Sequence, residues 1–193
     1  MDKIRPADLL DIAEYEKIRP EFRQEIMAHK QARRIQLGPD ISITFEDRRT
    51  IIFQIQEMMR AESLVHASAI QAEVDVYNDL IPAHGQLSAT LFIEITQSDH
   101  IKSNLSRFIG LTDDQSLVLQ VGDHRVDAEF EAGRAEKDKI SSVHYIRFSF
   151  TSEQIALFHD KSISVNMTIA HADYHHTVPL SSEARSALSV DFD

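Results

Sequence analysis

Residues 47–82 carry apolar positions at the spacing of two successive helices. Asp47 is the predicted N-cap of the first helix, because its carboxylate can accept hydrogen bonds from the free N–H groups of the opening turn. The second helix is predicted to begin near Ser68, which has capping-box spacing with Gln71, and to end before Pro82. The apolar faces of the two helices consist of Ile51, Ile52, Ile55, Met58 and Met59, and of Ile70, Val74, Tyr77 and Ile81.

The polar side chains of the first predicted helix fall into two groups. Arg48 and Glu62 lie on its apolar face, where a carboxylate is unfavourable unless it is paired or hydrogen-bonded. Glu62 therefore has a donor partner, lies beyond the end of the helix, or is a buried functional carboxylate. The opposite side of the helix carries Gln56, Glu57 and Arg60, and we expect these three residues to contact a protein partner.

Alternating apolar and polar positions predict strands through most of the remaining chain. A hairpin is expected from residues 34–37 and 41–46, because Gly38, Pro39 and Asp40 between them have a turn composition. One face of this hairpin should be buried and the other exposed. Further strands are predicted over 87–96, 117–121, 125–131, 142–150 and from 163 onward, and helices over 98–109, 151–159 and 181–190.

These elements together predict one α+β domain over residues 1–193. Residues 1–34 form a helical segment in which Pro20 opens a second helix, and residues 35–97 contain the hairpin, the central helices and a strand. Residues 98–193 are mainly β with short helices. About seven strands then make a mainly antiparallel sheet or an open barrel, covered by the N-terminal and central helices.

The strand predicted over residues 142–150 carries different chemistry on its two faces. His144 lies on the apolar face, either as a core histidine satisfied by a backbone group or as an acid/base group. Tyr145 and Arg147 lie on the other face, which either holds a carboxylate or phosphate or is an ordinary exposed face. Together with the central helices, this strand gives a candidate pocket of Arg48, Glu62, Glu73, Tyr77, His144 and Arg147.

The segment HADYHH, residues 171–176, is a candidate metal site. A continuous strand would place His171, Asp173 and His175 on one face, with about 7 Å between successive side chains. Histidine and carboxylate ligands suit zinc or iron. These residues are the candidates for a metal ion, although three such residues on one exposed strand often have no function. No other cofactor is predicted.

The composition narrows the classes of function. The net charge of -11 opposes binding to nucleic acid and to anionic membranes. The chain has no cysteine, which excludes disulfides, thiol catalysis and cysteine-ligated iron–sulfur clusters within it. No apolar run approaches the roughly 18 residues that a spanning helix needs, and no nucleotide-binding or nucleophile-elbow motif is present. A cytoplasmic protein without a nucleotide cofactor is expected.

Several of these stretches resemble a bacterial protein family, domain-of-unknown-function family 3501. The resemblance is carried by FEDRRTIIFQIQEMMRAE, IQAEVDVYNDLIP, EYEKIRPEFRQEIMAHKQARRIQLGP and SSVHYIRFSF, and by the segment from His171 to Tyr174. Within that last segment only His171 and Tyr174 match the family pattern. The resemblance therefore does not extend a shared metal site to Asp173 and His175.

The resemblance implies a redox setting without a defined reaction. Members of the family tend to be encoded beside a rubrerythrin-like ferritin-fold protein and a heterodisulfide-reductase-like iron–sulfur protein. We therefore expect an accessory or interaction protein of a bacterial redox system, with these two proteins as its partners. The alternatives are a metal- or small-ligand-binding enzyme that uses the candidate pocket, and a structural subunit of an oligomer.

Overall fold

The computed structural model describes residues 1–95, 101–112, 115–131 and 140–192, without the side chains of 101–103. The end of the strand predicted over 87–96, the start of the helix predicted over 98–109 and most of the loop after residue 131 lie outside these ranges. The helices are α1 (Ile12–Ala32), α2 (Arg48–Ala61), α3 (Ala67–Asn78), α4 (Ile101–Ser106), α5 (Ser152–His159) and α6 (Ser182–Ser189). The strands are β1 (Arg34–Leu37), β2 (Ile41–Glu46), β3 (Gln86–Ile93), β4 (Leu117–Val121), β5 (His124–Phe130), β6 (Val143–Ser149), β7 (Val165–His171) and β8 (Tyr174–Pro179).

The strands form one sheet in the order β1-β2-β3-β6-β5-β4-β7-β8, and every neighbouring pair is antiparallel. This arrangement confirms the predicted α+β class and its mainly antiparallel sheet. The sheet curls until its first and last strands nearly meet, so that it resembles a barrel with one seam. Short connections join most sequential neighbours, as expected for antiparallel pairs.

The seam between β1 and β8 is bridged by one tyrosine. The Tyr174 hydroxyl donates a hydrogen bond to the backbone carbonyl of Leu37, and the N–H of Asp40 donates to the same hydroxyl at 3.1 Å. Gly38 lies between them in the left-handed region, with φ +72°. The tyrosine thus joins the turn of the first hairpin to the start of the last strand.

Two apolar cores lie on the two sides of the sheet. The inner core fills the curled sheet with residues such as Phe45, Leu119 and Phe148. The outer core lies between the sheet and the central helices, where Ile55 of α2 and Val74 of α3 are buried. The apolar faces predicted for these two helices are therefore the faces that pack. In the described ranges, no helix is both long enough and apolar enough to cross a membrane.

The outer face of β2 corrects one prediction about the hairpin. The bounds of the two hairpin strands were predicted correctly. However, Ser42, Thr44 and Glu46 are buried, although alternation predicted an exposed face. The prediction of an exposed face was wrong because α1 and α2 cover this side of the sheet. One of these buried polar groups has a hydrogen-bond partner beneath the helices, because Thr90 Oγ1 donates to Glu46 Oε1 at 2.7 Å.

Helix α1 also differs from its prediction. Residues 12–32 form one helix with Pro20 inside it, so the break predicted at Pro20 was wrong. Proline removes one backbone donor, but Tyr15 before it and Ile26 after it are both fully buried and hold the two halves in place. The helix begins at the N-cap Asp11, whose side chain accepts from Glu14 N–H, so residues 1–10 precede it.

Side-chain caps set the bounds of several helices. The Asp47 carboxylate accepts from the N–H of Thr50 at 2.8 Å, which confirms the predicted N-cap of α2. Thr151 and Ser181 cap α5 and α6, the helices predicted over 151–159 and 181–190. The start of α3 is one residue earlier than predicted, because His66 occupies the N-cap position and Ser68 makes no capping box.

A buried arginine holds the end of α1 against the C-terminal segment. Arg33 Nε donates to the carbonyl of Phe45 at 3.1 Å, and Nη1 donates to the carbonyl of Ala187 at 3.0 Å. The guanidinium also forms ion pairs with Asp47, at 3.4 Å, and with Asp191. One side chain thus connects the first helix, the second strand and the last helix.

Candidate functional site

A groove of about 680 Å³ opens between α3 and the outer face of the sheet. The helix contributes Glu73, Val76 and Tyr77, which lie three and four residues apart, and Leu80 beyond the helix continues the same stripe. Asp79 follows directly after the helix and closes one end of the stripe. Among the described residues, the lining consists of Glu73, Val76, Tyr77, Asp79, Leu80, Ser88, Glu129, Phe130, Glu131, Tyr145, Ile146 and Arg147.

The sheet wall of the groove is built by cross-strand pairs. Arg147 on β6 lies opposite Ser88 on β3 and opposite Glu129 on β5, so the three residues form one row across the outer face. Tyr145 lies two residues before Arg147 on the same face, and the N–H of Glu131 donates to the Tyr145 carbonyl at 3.1 Å. Strand register therefore gathers polar side chains that are far apart in the sequence.

The groove carries an excess of negative charge. Its lining contains four carboxylates, from Glu73, Asp79, Glu129 and Glu131, but only one guanidinium. That guanidinium, on Arg147, donates a hydrogen bond to the backbone carbonyl of Asp79. Within the described part of the chain, the carboxylates of Glu73, Asp79 and Glu129 form no ion pair. The described lining therefore carries a net negative charge, and these three carboxylates face the groove unpaired within the described residues.

Two hydroxyl groups add hydrogen-bonding capacity to the groove. Burial raises the pKa of Tyr77, and the neighbouring Tyr145, Glu73 and Glu62 raise it further, so the phenol keeps its proton at neutral pH. Ser88 is only 2% exposed, and no hydrogen bond to its hydroxyl is found among the described residues. Both groups can donate a hydrogen bond to a ligand, and both can accept one.

Half of the predicted pocket residues meet in this groove. Glu73, Tyr77 and Arg147 line it together. Arg48 lies elsewhere and forms an ion pair with Asp8 at 2.8 Å. Glu62 is exposed at the C-cap of α2, because the helix ends before it; of the alternatives for this carboxylate, the end of the helix is the one found.

His144 lies on the other side of the sheet from the groove. It is buried, its Nε2 is 2.8 Å from the carbonyl of Ser141, and its ring packs edge-on against Phe130 with 6.1 Å between ring centroids. The alternative of a core histidine with a backbone partner describes this position. Tyr145, the next residue, faces the groove because side chains alternate along a strand.

The predicted partner surface on α2 is occupied by α1. Gln56 is buried, and its amide group accepts from the N–H of Leu10 at 2.7 Å and donates to the Leu10 carbonyl at 3.1 Å. Glu57 accepts from the Tyr15 hydroxyl at 2.7 Å. Arg60 pairs with a glutamate of α1 at 2.5 Å. Glu57 and Arg60 thus hold α2 against α1, and Gln56 holds the segment that precedes α1. The predicted contact of these three residues with a protein partner stays a prediction.

The predicted metal ligands are separated by a turn. His171 ends β7 and pairs with Tyr174, which begins β8, so Ala172 and Asp173 form a two-residue turn in which Ala172 has φ +48°. The side chain of His171 is buried, whereas His175 is exposed and its Nε2 is 2.7 Å from the Ala172 carbonyl. The assumption of one continuous strand was wrong.

The turn also gives Asp173 a different partner. Its carboxylate pairs with Arg107 at 3.3 Å. In the ranges that the structure describes, no group of three or more histidine, aspartate or glutamate side chains is arranged to hold a metal ion. His171, Asp173 and His175 are therefore not gathered as ligands, and this geometry assigns no metal to them.

Sequence reasoning missed Ser88, Glu129 and Glu131 as groove residues. Alternation within β5 places Glu129 and Glu131 on the outer face, because Val126 and Ala128 face inward. That signal was present in the sequence. The pairing of β5 with β6 was not, and only this pairing brings the glutamates beside Arg147.

Comparisons with other proteins extend over nearly the whole chain. A family model described as "Protein of unknown function (DUF3501)" matches residues 3–192. A crystal structure of a novel protein of unknown function from Burkholderia pseudomallei K96243 is similar, with a TM-score of 0.91 and 28% sequence identity over 100% of each chain. No curated protein matches the sequence. The fold is thus shared with a solved relative.

Proposed function

The chain belongs to the DUF3501 family, and we propose that it is a binding protein whose groove between α3 and the sheet docks a protein partner. The observation that supports this proposal is the set of groove carboxylates that form no ion pair among the described residues. The polar groups of α2, by contrast, are already used in contacts with α1 and with Leu10, which precedes it. The groove is therefore the better surface for an interaction.

The proposed setting is a bacterial redox system in the cytoplasm. The family resemblance suggests a rubrerythrin-like ferritin-fold protein and a heterodisulfide-reductase-like iron–sulfur protein as partners. Because this chain has no cysteine, thiol chemistry and cysteine-ligated clusters would belong to the partner. The role proposed here is accessory: the chain binds and positions a redox protein.

A second candidate is a small-ligand-binding enzyme that uses the same groove. The observation in its favour is that Tyr77, Ser88 and Arg147 bring a phenol, a hydroxyl and a guanidinium to one space. Such groups can orient a small polar molecule. Competition between a small molecule and the protein partner would separate this candidate from docking alone.

The docking proposal is tested with two valines of similar exposure. Val76 lies on the groove wall and is 64% exposed, whereas Val65 lies in the connection between α2 and α3 and is 70% exposed. Val76→Arg places a long cationic side chain in the groove, and Val65→Arg makes the same chemical change outside its lining. Neither residue is buried, so both variants are expected to fold.

Each tagged variant is incubated with native cell extract, and the recovered proteins are identified by mass spectrometry. We expect wild type and Val65→Arg to recover a ferritin-fold or iron–sulfur protein in stoichiometric amount, and Val76→Arg to lose it. Circular dichroism of both variants confirms that they are folded. Equal recovery by Val76→Arg and wild type would overturn the groove as the docking site.

A further inference from the structure

We propose that the groove recognises a basic segment of the partner, by enclosing a lysine or arginine side chain between α3 and the sheet. This inference rests on the proposed docking function and adds the chemistry of the bound segment. It is carried by three features of the groove: its charge, an unpartnered hydroxyl on its floor and an apolar strip beside them.

The charges are placed on different walls of the groove. Glu73 belongs to the helix wall and Glu129 to the sheet wall, while Asp79 lies at the end of α3. A cation between these walls can be attracted by carboxylates from both sides. Arg147 supplies one positive charge against the four carboxylates of the described lining, and its guanidinium donates to the carbonyl of Asp79 and forms no ion pair with Glu129 among the described residues. A bound cation would reduce the negative charge that remains.

The hydroxyl of Ser88 gives an independent indication of a ligand. Ser88 is almost completely buried, lines the groove and finds no hydrogen-bond partner among the described residues. The Ser88 oxygen is not one of the fully enclosed side-chain atoms that lack a partner, so it is accessible to a group bound in the groove. The N–H groups of an ammonium or guanidinium would donate to this oxygen. The cation that is attracted by the carboxylates can therefore also donate a hydrogen bond to the Ser88 hydroxyl.

The apolar strip fits the stem of a basic side chain. Val76 is exposed on the helix wall, and Leu80, which lies beyond the end of α3 and is 8% exposed, lines the groove four residues later. Lysine and arginine carry three or four methylene groups, which pack on apolar surface while the charged end lies among polar groups. A small metal ion would leave this strip uncovered. The strip therefore favours a basic side chain over a simple cation.

The test measures binding of a fluorescent hexaarginine peptide by anisotropy. The double variant Glu73→Gln/Glu129→Gln removes two groove charges and keeps the side-chain shapes. The matched control Glu21→Gln/Glu153→Gln removes two charges from exposed residues of α1 and α5, so the net charge changes equally. Ser88→Ala tests the hydroxyl separately. Hexaglutamate and spermidine are compared with hexaarginine on the wild-type protein.

We expect the groove double variant to weaken hexaarginine binding by about tenfold, if each lost carboxylate weakens it by roughly threefold. The control pair should change binding by less than about twofold, and Ser88→Ala should weaken it measurably. Binding should also weaken as salt is raised, because the contacts are electrostatic. Hexaglutamate should not bind.

Three results would overturn the inference. The first is an equal effect of the two double variants on hexaarginine binding, and the second is an absence of hexaarginine binding to the wild-type protein. The third is that spermidine binds as tightly as hexaarginine, with the same dependence on Glu73 and Glu129. The last result would assign the groove to a small polyamine. If Val76→Arg still loses the partner in the pull-down, the docking function stands and only the basic segment is wrong. If Val76→Arg retains the partner, the docking function itself fails.

Discussion

Arg33 and Asp191 form an ion pair between side chains that are only 1% and 2% exposed. They are 158 residues apart in the sequence, and the pair attaches the C-terminal segment to the end of α1. Asp47 lies on the other side of the same guanidinium. A buried arginine that serves two carboxylates is a position where the loss of one side chain leaves charges without compensation.

Replacement of Arg33 by methionine should therefore destabilise the protein strongly. The change leaves Asp47 and Asp191 buried without their cation, and we expect the free energy of unfolding to fall by about 3–5 kcal/mol. The adjacent Arg34 is a matched control, because it is 46% exposed and its ion-pair partner among the described residues is the surface residue Glu94. Arg34→Met should change stability by about 1 kcal/mol or less. Urea denaturation of both variants measures the difference; equal effects would contradict the role of Arg33.

The pH dependence of stability should carry a signature of Asp191. Burial raises its pKa to about 6, although Arg33 lowers it in part, whereas the ordinary value is 3.8. Because the folded protein holds this proton more tightly than the unfolded chain, the contribution of Asp191 is fully present below pH 4. It is lost as the pH rises towards about 6.

The variant Asp191→Asn isolates that contribution. We expect the stability of wild type relative to Asp191→Asn to decrease between about pH 4 and pH 6, and to change little above that range. Asp47 does not confuse the comparison, because its pKa is lowered: burial opposes ionisation there, but Arg33, the Thr50 N–H and His29 together favour it. A constant difference between the two proteins across this range would refute the expectation.

The seam of the sheet should tolerate no side chain at Gly38. A Cβ atom there would overlap the His176 ring and lie 2.6 Å from the Tyr174 hydroxyl. Gly85 has the same backbone conformation, with φ +73°, but its nearest contact would be at 3.4 Å. Gly85→Ala should thus show the backbone penalty alone, about 1 kcal/mol. Gly38→Ala should lose roughly a further 1–3 kcal/mol through overpacking. Thermal unfolding compares the two; similar losses would show that the seam is not tightly packed.

Gln56 should matter for the attachment of α1 to α2. Gln56→Ala leaves the backbone N–H and carbonyl of Leu10 without their partners, and we expect a loss of about 1–3 kcal/mol. Gln54, two residues earlier, makes no such bond in the described structure, so Gln54→Ala should stay within about 0.5 kcal/mol of wild type. Chemical denaturation of the pair tests this. Unchanged stability of Gln56→Ala would mean that water replaces its bonds.

Local signals in the sequence were sufficient for many elements. The hairpin of β1 and β2 has the predicted bounds, because Gly38, Pro39 and Asp40 interrupt two strictly alternating runs. The N-cap at Asp47 was likewise predicted from its carboxylate directly before the first helical residues. Such features are determined by residues that are adjacent in the chain, so a single sequence is sufficient to predict them.

The features that were missed depend on contacts between distant segments. The burial of Thr44 follows from helices that pack over β2, and the fate of Gln56 follows from α1. The turn after His171 was also not predicted. Ala172 adopts a positive φ, which alanine rarely takes, and the sequence has no glycine at this position to indicate a turn. The groove required the neighbourhood of β5 and β6, which alternation within single strands does not specify.

The hydrogen bond from Tyr174 to Leu37 has a consequence for biosynthesis. Its partners are 137 residues apart, so the first hairpin emerges from the ribosome long before the strand that closes the sheet beside it. At about 5–20 residues per second, that interval lasts roughly 7 to 27 seconds. During it, β1 presents an unpaired backbone edge, which can pair with other chains. The nascent chain is thus most exposed to misassembly just before its last strand is made.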